Sequence, residues 1–330
     1  MKKGANMTDF SITEDFPRSE IEFDARFSQP EACYTYLFKQ KWPNGFMCTK
    51  CGNPQYWLSS RQLYICTKCE HQHSLIAGTI MGNSKKPITY WFKAMWWFTT
   101  RKSGVNAVNL KELLGLGSYG TAWTWLQKLR RCTIRQNREK LSGRVEVDEF
   151  TIGGERSGKR GRGAEGKTIV AIAVERNNSE KQIGRIRMHV ALDFSGASLG
   201  SFIIDNIAPG TTIATDKWSS YDVIDKERYG HEITNLSKSK NYDKLYGAHL
   251  VTTLVKRLIR STFQGRFEPK YLQNYLDEYV FRFNRRKSLN IGKKFMRIVQ
   301  QAVKTVPVTW GKIQWDLDPI SKFIAVTGVS

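Results

Sequence analysis

Two pairs of cysteines carry the most specific chemical pattern in the chain: "CTKC" at 48–51 and again at 66–69, with fourteen residues between them. Paired Cys-x-x-Cys motifs at this spacing predict a zinc ribbon, in which each pair sits on a tight knuckle and four thiolates close a tetrahedral structural site. Cys48, Cys51, Cys66 and Cys69 are therefore the expected ligands of one structural Zn²⁺. His71 and His73 follow closely, but four thiolates already fill the coordination. Cys33 and Cys132 have no partner spacing and read as buried small hydrophobes.

Acidic residues form the second group. "VEVDEF" places Glu146 and Asp148 on one face of an alternating strand, with Val145, Val147 and Glu149 on the other. In "TTIATDKW", Asp216 ends another β-branched run. "AHLVTTLVKRLIRSTF", residues 248–263, reads as a helix whose stripe of Leu250, Val251, Leu254, Val255, Leu258 and Ile259 lies opposite His249, Thr253, Lys256 and Arg260. Two strand aspartates and this histidine-led stripe can meet around two divalent ions about 3.5–4 Å apart, the arrangement that supports in-line phosphoryl transfer. Spacing alone also fits ordinary acidic strand ends and a solvated helix face.

The charge balance bears on the partner. Among 330 residues, 52 Lys and Arg face 30 Asp and Glu, a net charge of +22. That excess favours a polyanion, because each neutralised phosphate releases counterions. An acidic membrane is the other polyanion, but the basic residues interleave with Trp and Tyr along predicted helices, and no polybasic anchor follows a lipidation signal. "MKKGANMTDFSITEDF" has no apolar core of a signal peptide, and "ITYWFKAMWWFTT" is short for a bilayer span and contains Lys93. A cytoplasmic, nucleoid-associated protein with no membrane partner is expected, and in a reducing compartment its cysteines serve metal rather than disulfides.

The elements that must position these groups follow from periodicity. Residues 1–30 read as a polar lead-in, 31–81 as the zinc ribbon, 86–136 as helical, 143–217 as strand-rich, 246–304 as helical, and 305–330 as a tail of unknown role. "NAVNLKELLGLGSYGTAWTWLQKLRR" predicts two helices about a glycine turn. Ser118 and Thr121 are N-cap candidates for the second, Ala122, Trp125 and Leu126 share one face, and Lys128, Arg130 and Arg131 end it. This suits a helix-turn-helix whose second helix enters the major groove; a plain helical bundle packed on the next domain fits as well. "GGERSGKRGRGAEGK", between the first two strands, is either a flexible connection or a mobile cationic arm that touches phosphates.

"CYTYLFKQKWPNGFMCTKCG", "GSYGTAWTWLQKLR", "VEVDEFTIGG", "TDKWSSY" and "PKYLQNYLDEYVFRFNRR", in this order, resemble the bacterial insertion-sequence transposases that join a zinc ribbon to an RNase-H-like DDE core. The resemblance implies a multidomain α+β protein: zinc ribbon, helix-turn-helix-like segment, and an RNase-H-like catalytic domain at 143–304 with a mixed sheet flanked by helices. It implies two catalytic Mg²⁺ or Mn²⁺ ions on Asp148, Asp216 and a third ligand on a later helix. His249 falls there, where many members have glutamate or asparagine, and Lys256 falls at the family's lysine; Glu278 is the competing third acid. Lys244 and Tyr246 stand where others often have histidine and asparagine.

The implied reaction is hydrolysis of a phosphodiester at the element end, followed by attack of the freed 3′ hydroxyl on target DNA. The implied partners are DNA, as terminal inverted repeats and target, and further copies of the chain. Imidazole is a softer ligand than carboxylate, which predicts a relative preference for Mn²⁺ over Mg²⁺. Lys256 is expected to contact a DNA phosphate rather than act as a base. Trp218 and Tyr221 either stack on bases near the cut or pack in the core. Two other readings use the same residues: a catalytically inactive, transposase-derived DNA-binding regulator, and a metal-dependent nuclease that cuts without joining.

Overall fold

The computed structural model describes residues 14–135, 138–153, 167–176, 182–234, 244–265 and 267–315. Helix α1 (Glu20–Arg26) starts at Ser19, whose side chain accepts from the Glu22 N–H. It lies within the expected polar lead-in, yet Phe23 and Phe27 are buried. The pair is spaced i, i+4, so one short helix puts both rings on one face, where Phe23 stacks on Trp96 at 4.7 Å. Helix α2 (Pro30–Lys41) buries Cys33, Tyr36 and Leu37. An antiparallel meander follows: β1 (Tyr56–Leu58), β2 (Leu63–Cys66) and β3 (Gln72–Ser74).

Helix α3 (Ile88–Thr100) is apolar nearly all round, from Trp91 and Phe92 through Trp96 to Phe98, and is buried as such a helix must be. Helices α4 (Ala107–Leu114) and α5 (Tyr119–Arg131) turn about Gly115, held at φ +59°, and Ser118 rather than Thr121 caps α5.

The second half is built on one five-stranded sheet. Strands β4 (Arg144–Ile152), β5 (Thr168–Arg176) and β6 (Ile183–Ala191) are antiparallel neighbours. Helix α6 (Gly196–Asn206) then crosses to β7 (Thr212–Asp216), parallel to β4, and β8 (Gly230–Thr234) lies parallel beside it. The order is β6-β5-β4-β7-β8. Helices α7 (Tyr246–Thr262) and α8 (Leu272–Asn284) cover one face, where Ile172, Val174 and Met188 meet Val251 and Leu276. On the other face Val145, Val147, Ala171 and Ala173 meet Leu199 and Phe202 of α6. This mixed sheet with helices on both faces is the expected RNase-H-like architecture.

Edge strand β6 is closed by side-chain amides of α8. Asn284 accepts from Ile186 N–H (2.8 Å) and donates to its carbonyl (3.1 Å); Gln273 does the same for Val190 N–H (2.8 Å) and Met188 O (3.3 Å). The edge groups that could recruit another strand are thereby paired. Helix α9 (Gly292–Ala302) returns to α3, where Phe295, Ile298 and Val299 complete the core shared by α1, α2 and the ribbon. Helix α10 (Trp310–Trp315) follows; from the expected tail, Val308 and Ile313 pack with Tyr271, and residues 316–330 lie outside the described set. Among the described residues no helix is long and apolar enough to cross a membrane.

Candidate active site and zinc centre

The ribbon cysteines converge as their spacing predicts. Cys48 and Cys69 sulfurs lie 3.6 Å apart, as do those of Cys51 and Cys66, and all four fall within 4.8 Å of one another. A tetrahedron with Zn–S bonds of about 2.3 Å has edges of about 3.8 Å, so the donors fit Zn²⁺. Each knuckle closes the same way: Cys48 O accepts from Gly52 N–H (2.9 Å) and Cys66 O from Glu70 N–H (3.0 Å). Gly52 and Glu70 both take positive φ, +72° and +56°. His73 stays outside the four sulfurs but packs against them, its Nε2 3.4 Å from Cys48 Sγ.

The second cluster is assembled across the sheet. The pleat of β4 sends Asp148 toward α7 and Glu149 toward the opposite face, as the alternation requires. There Tyr221, from the short 3₁₀ turn Ser219–Val223, donates to Glu149 Oε2 at 2.5 Å. On the α7 side, His249 Nε2 lies 3.7 Å from Asp148 Oδ2, with the two side chains 21% and 16% exposed, so the pair is reachable from solvent. Asp216 enters through strand pairing. Arg144 pairs with Thr212 and Glu146 with Ala214, and Asp148 and Asp216 each follow two residues beyond that last pair on neighbouring parallel strands. Asp216 Oδ1 accepts from Trp218 N–H (3.1 Å), which holds the carboxylate at the strand end. Among the described residues only the cysteines form a set of three or more ligand atoms within 4.8 Å; the aspartates and histidine stand wider.

The donor set still suits a divalent ion. Two atoms each about 2.1 Å from one ion lie at most about 4.2 Å apart, so Asp148 and His249 can share one at their observed separation. Two carboxylates and one imidazole are ligands that Mg²⁺ or Mn²⁺ accepts.

Glu146, singled out only as sharing a face with Asp148, places His249. Its buried carboxylate accepts from Ala248 N–H at 2.9 Å, at the N-terminus of α7 where backbone donors are unpaired. Burial pushes this carboxyl upward, against the pull of the Ala248 N–H, Arg176 and Arg144. The approach is close enough to need glycine: a Cβ on Gly247 would lie 2.7 Å from Arg176 Nη1 and 2.9 Å from Glu146 Oε2. The signal for Glu146 was its position two residues before Asp148 on the inner face, but its partner is 102 residues away.

Other expected residues are placed differently. Lys256 is half-buried over the Phe150 ring at 5.5 Å, and burial and Arg260 lower its pKa although Asp148 raises it. Tyr221 is 1% exposed and cannot stack on bases, and Trp218 packs against the same core while donating to Ser220 Oγ (2.6 Å). Burial, with Glu149, Asp148 and Asp216 nearby, holds the Tyr221 hydroxyl well above its usual pKa. Glu278 is no third acid: it is buried between Arg130 (2.8 Å) and Arg282 (2.8 Å) on α8. The glycine-rich loop at 154–166 lies outside the described residues.

The expected helix pair is present, but α5 is not presented as a free recognition helix. Every residue from 120 to 131 is at least partly buried, and the helix is covered by α3, α4, α8 and α10. Arg130, expected at its cationic end, is engaged by Glu278, and Gln127 Oε1 accepts from Asn274 Nδ2 (3.0 Å). A polar seam between two helices reads in sequence like a solvated face, which is why periodicity suggested exposure.

A zinc ribbon followed by an RNase-H-like mixed sheet is the architecture of the transposases that the sequence resembles. Residues 29–72 match the transposase zinc-ribbon domain, and residues 140–284, which hold Asp148, Asp216, His249 and Lys256, match the ISXO2-like transposase domain. No curated protein matches the chain. The chain belongs to the insertion-sequence transposases that carry these two domains.

Proposed function

We propose that the protein cuts DNA at the ends of its element and joins the freed 3′ hydroxyl to target DNA, with Asp148, Asp216 and His249 as ligands of two Mg²⁺ or Mn²⁺ ions. The observation that carries this reading is the approach of His249 Nε2 to Asp148 Oδ2 at 3.7 Å, next to the strand that ends in Asp216. Bound there, the ions would neutralise charge on the attacking and leaving oxygens.

The chain's own residues do the positioning. Glu146 holds the first turn of α7, so His249 faces Asp148. Lys256, seven residues on and about 10 Å along the helix, lines a groove of about 490 Å³ with Thr253, Arg257, Arg260 and Ser261. Three cations along one groove lead DNA phosphates toward the carboxylates, and partial burial strengthens the Lys256 contact by limiting solvent screening. In this reading the ribbon and the helical segment recognise the terminal inverted repeats. The active form is an oligomer that pairs two ends, working at the nucleoid.

The test is a cleavage and strand-transfer assay on labelled end DNA, comparing wild type with Asp148→Ala, Asp216→Ala and His249→Ala. Loss of both products in all three variants, with DNA binding retained, is expected, and wild type should prefer Mn²⁺ to Mg²⁺ at matched concentration. Activity retained in His249→Ala removes histidine from the ligand set. Wild type that binds ends and never cuts returns the chain to a regulator, and cleavage without joined product returns it to a nuclease.

A further inference from the structure

Five arginines meet at the far edge of the sheet, where no chemistry has been assigned. Arg185 and Arg187 of β6, Arg285 at the end of α8, and Arg135 and Arg138 of the connection from α5 to β4 line a cavity of about 190 Å³. Strand register separates it from the carboxylates. Arg187 pairs with Ala173, which pairs with Val147, so Arg187 shares the face of Val147 and not that of Asp148. β6 is two strands from β4, about 10 Å at the usual spacing.

These cations are poorly neutralised. Arg187 is 5% exposed, and its guanidinium donates to main-chain carbonyls, Ile186 O (3.0 Å) and Glu139 O (2.7 Å). Among the described residues it has no carboxylate ion-pair partner. Burial and the neighbouring Arg138 and Arg185 push its pKa down to about 9, and burial with Arg297 and Arg135 pushes Arg285 to about 10. Two acids also line the cavity. Glu139 is exposed and accepts from Arg185 Nη1 (3.1 Å), and Asp277 accepts from Gln273 Nε2 (2.9 Å). Arg185 is further satisfied by Glu175 at 2.7 Å. Asp277 also faces Arg138 and raises its pKa against the effect of burial, yet five arginines against Glu139, Glu175 and Asp277 leave the cavity with an excess of positive charge.

Crowding of like charges in a concave, partly desolvated site is unfavourable unless an anion relieves it. Guanidinium forks match a phosphate oxygen pair in geometry as well as charge. We propose that this arginine-lined cavity is a second DNA-contact site, which receives a backbone phosphate at the β6 edge of the sheet, away from the Asp148 cluster. The inference rests on the DNA-binding reading above and adds a contact that the catalytic groove does not supply. Free phosphate shares the chemistry, so the test separates the two sources.

The experiment is fluorescence anisotropy of a labelled duplex with the full chain, from about 50 to 200 mM salt, for wild type, Arg138→Gln, Arg285→Gln and Arg138→Lys. Each glutamine variant is expected to bind about three- to tenfold more weakly, with a salt slope shallower by about one, and lysine to restore the slope. Thermal unfolding checks that the variants fold, and the same unfolding is repeated with inorganic phosphate against matched chloride. Unchanged slopes, with phosphate raising the melting temperature of wild type and not of the glutamine variants, identify a small phosphate ligand and overturn the proposal. Unchanged slopes without any phosphate effect make the arginines structural ties of the connection to β6, and also overturn it. A wild-type chain that does not bind duplex at any salt fails the parent reading instead, an outcome recognised before any variant is measured.

Discussion

The zinc centre and the aspartate–histidine cluster bring ligand atoms to nearly the same separation, 3.6 Å in one and 3.7 Å in the other, by opposite means. Cys48 and Cys69 are 21 residues apart, and each knuckle is closed by a main-chain hydrogen bond spanning four residues. Asp148 and His249 come from a strand and a helix separated by a crossover helix and four more strands. Their meeting depends on Glu146 of β4 holding the first turn of α7, while the β4–β7 pairing brings the strand of Asp216 alongside. A locally built site is damaged by changes to its ligands; a site built by tertiary contacts is damaged by changes to residues that touch no substrate.

The largest expected effect tests the ligands on both sides of that comparison. Asp148→Asn should lower cleavage by about 10³-fold or more, several kcal/mol of barrier, with zinc content unchanged by elemental analysis. Cys66→Ser should do the reverse, lowering zinc below about one per chain while Mn²⁺ binding at the aspartates persists. Because Cys48 and Cys66 share a core with α3 and α9, its melting temperature should also fall.

Next in size is Glu278→Gln, which touches neither site. Removing the carboxylate between Arg130 and Arg282 leaves buried charge unpaired and should cost about 3–5 kcal/mol in denaturant unfolding. Stability equal to wild type would show that the seam between α5 and α8 is not what joins the two halves.

Gly247→Ala sharpens the contrast most directly. The added methyl collides with Arg176 and Glu146, and should cost about 1–3 kcal/mol. By shifting the start of α7 it should lower cleavage by up to about 10²-fold, with the ribbon untouched. Unchanged cleavage would mean that His249 does not depend on this contact.

The smallest effect concerns pH. Burial alone would raise the Glu175 carboxyl, but hydrogen bonds from Arg185 and Ser142 N–H outweigh it and hold its pKa below the ordinary 4.5. A depressed carboxylate contributes stability that is present above pH 4.5 and lost as pH falls through the lower folded-state value. Glu175→Gln should therefore show a flatter stability profile than wild type below pH 4.5, and parallel profiles there would remove this pair from the acid response.

Several residues were legible in sequence because their constraint is local. The cysteine spacing, the alternation of "VEVDEF" that separates Asp148 from Glu149, and the apolar stripe of α7 each follow from a knuckle, a pleat or a helical turn. Phe23 and Phe27 were legible in principle from their i, i+4 spacing, but a polar composition hid them. Arg130, Gln127 and Glu278 were not legible, because a polar group buried against another helix has the periodicity of an exposed one.

The sequence by itself determined the four thiolates at ribbon spacing and offered the candidate ligands beside them, aspartates on β-branched runs and a histidine leading a cationic helix face. Only the tertiary structure decided which of these meet. The parallel pairing of β4 with β7, the capping of α7 by Glu146, the burial of α5 and the gathering of arginines at β6 all join residues far apart in the chain. Such contacts follow from how separate elements bury their apolar faces against one another, and no short-range periodicity records that choice.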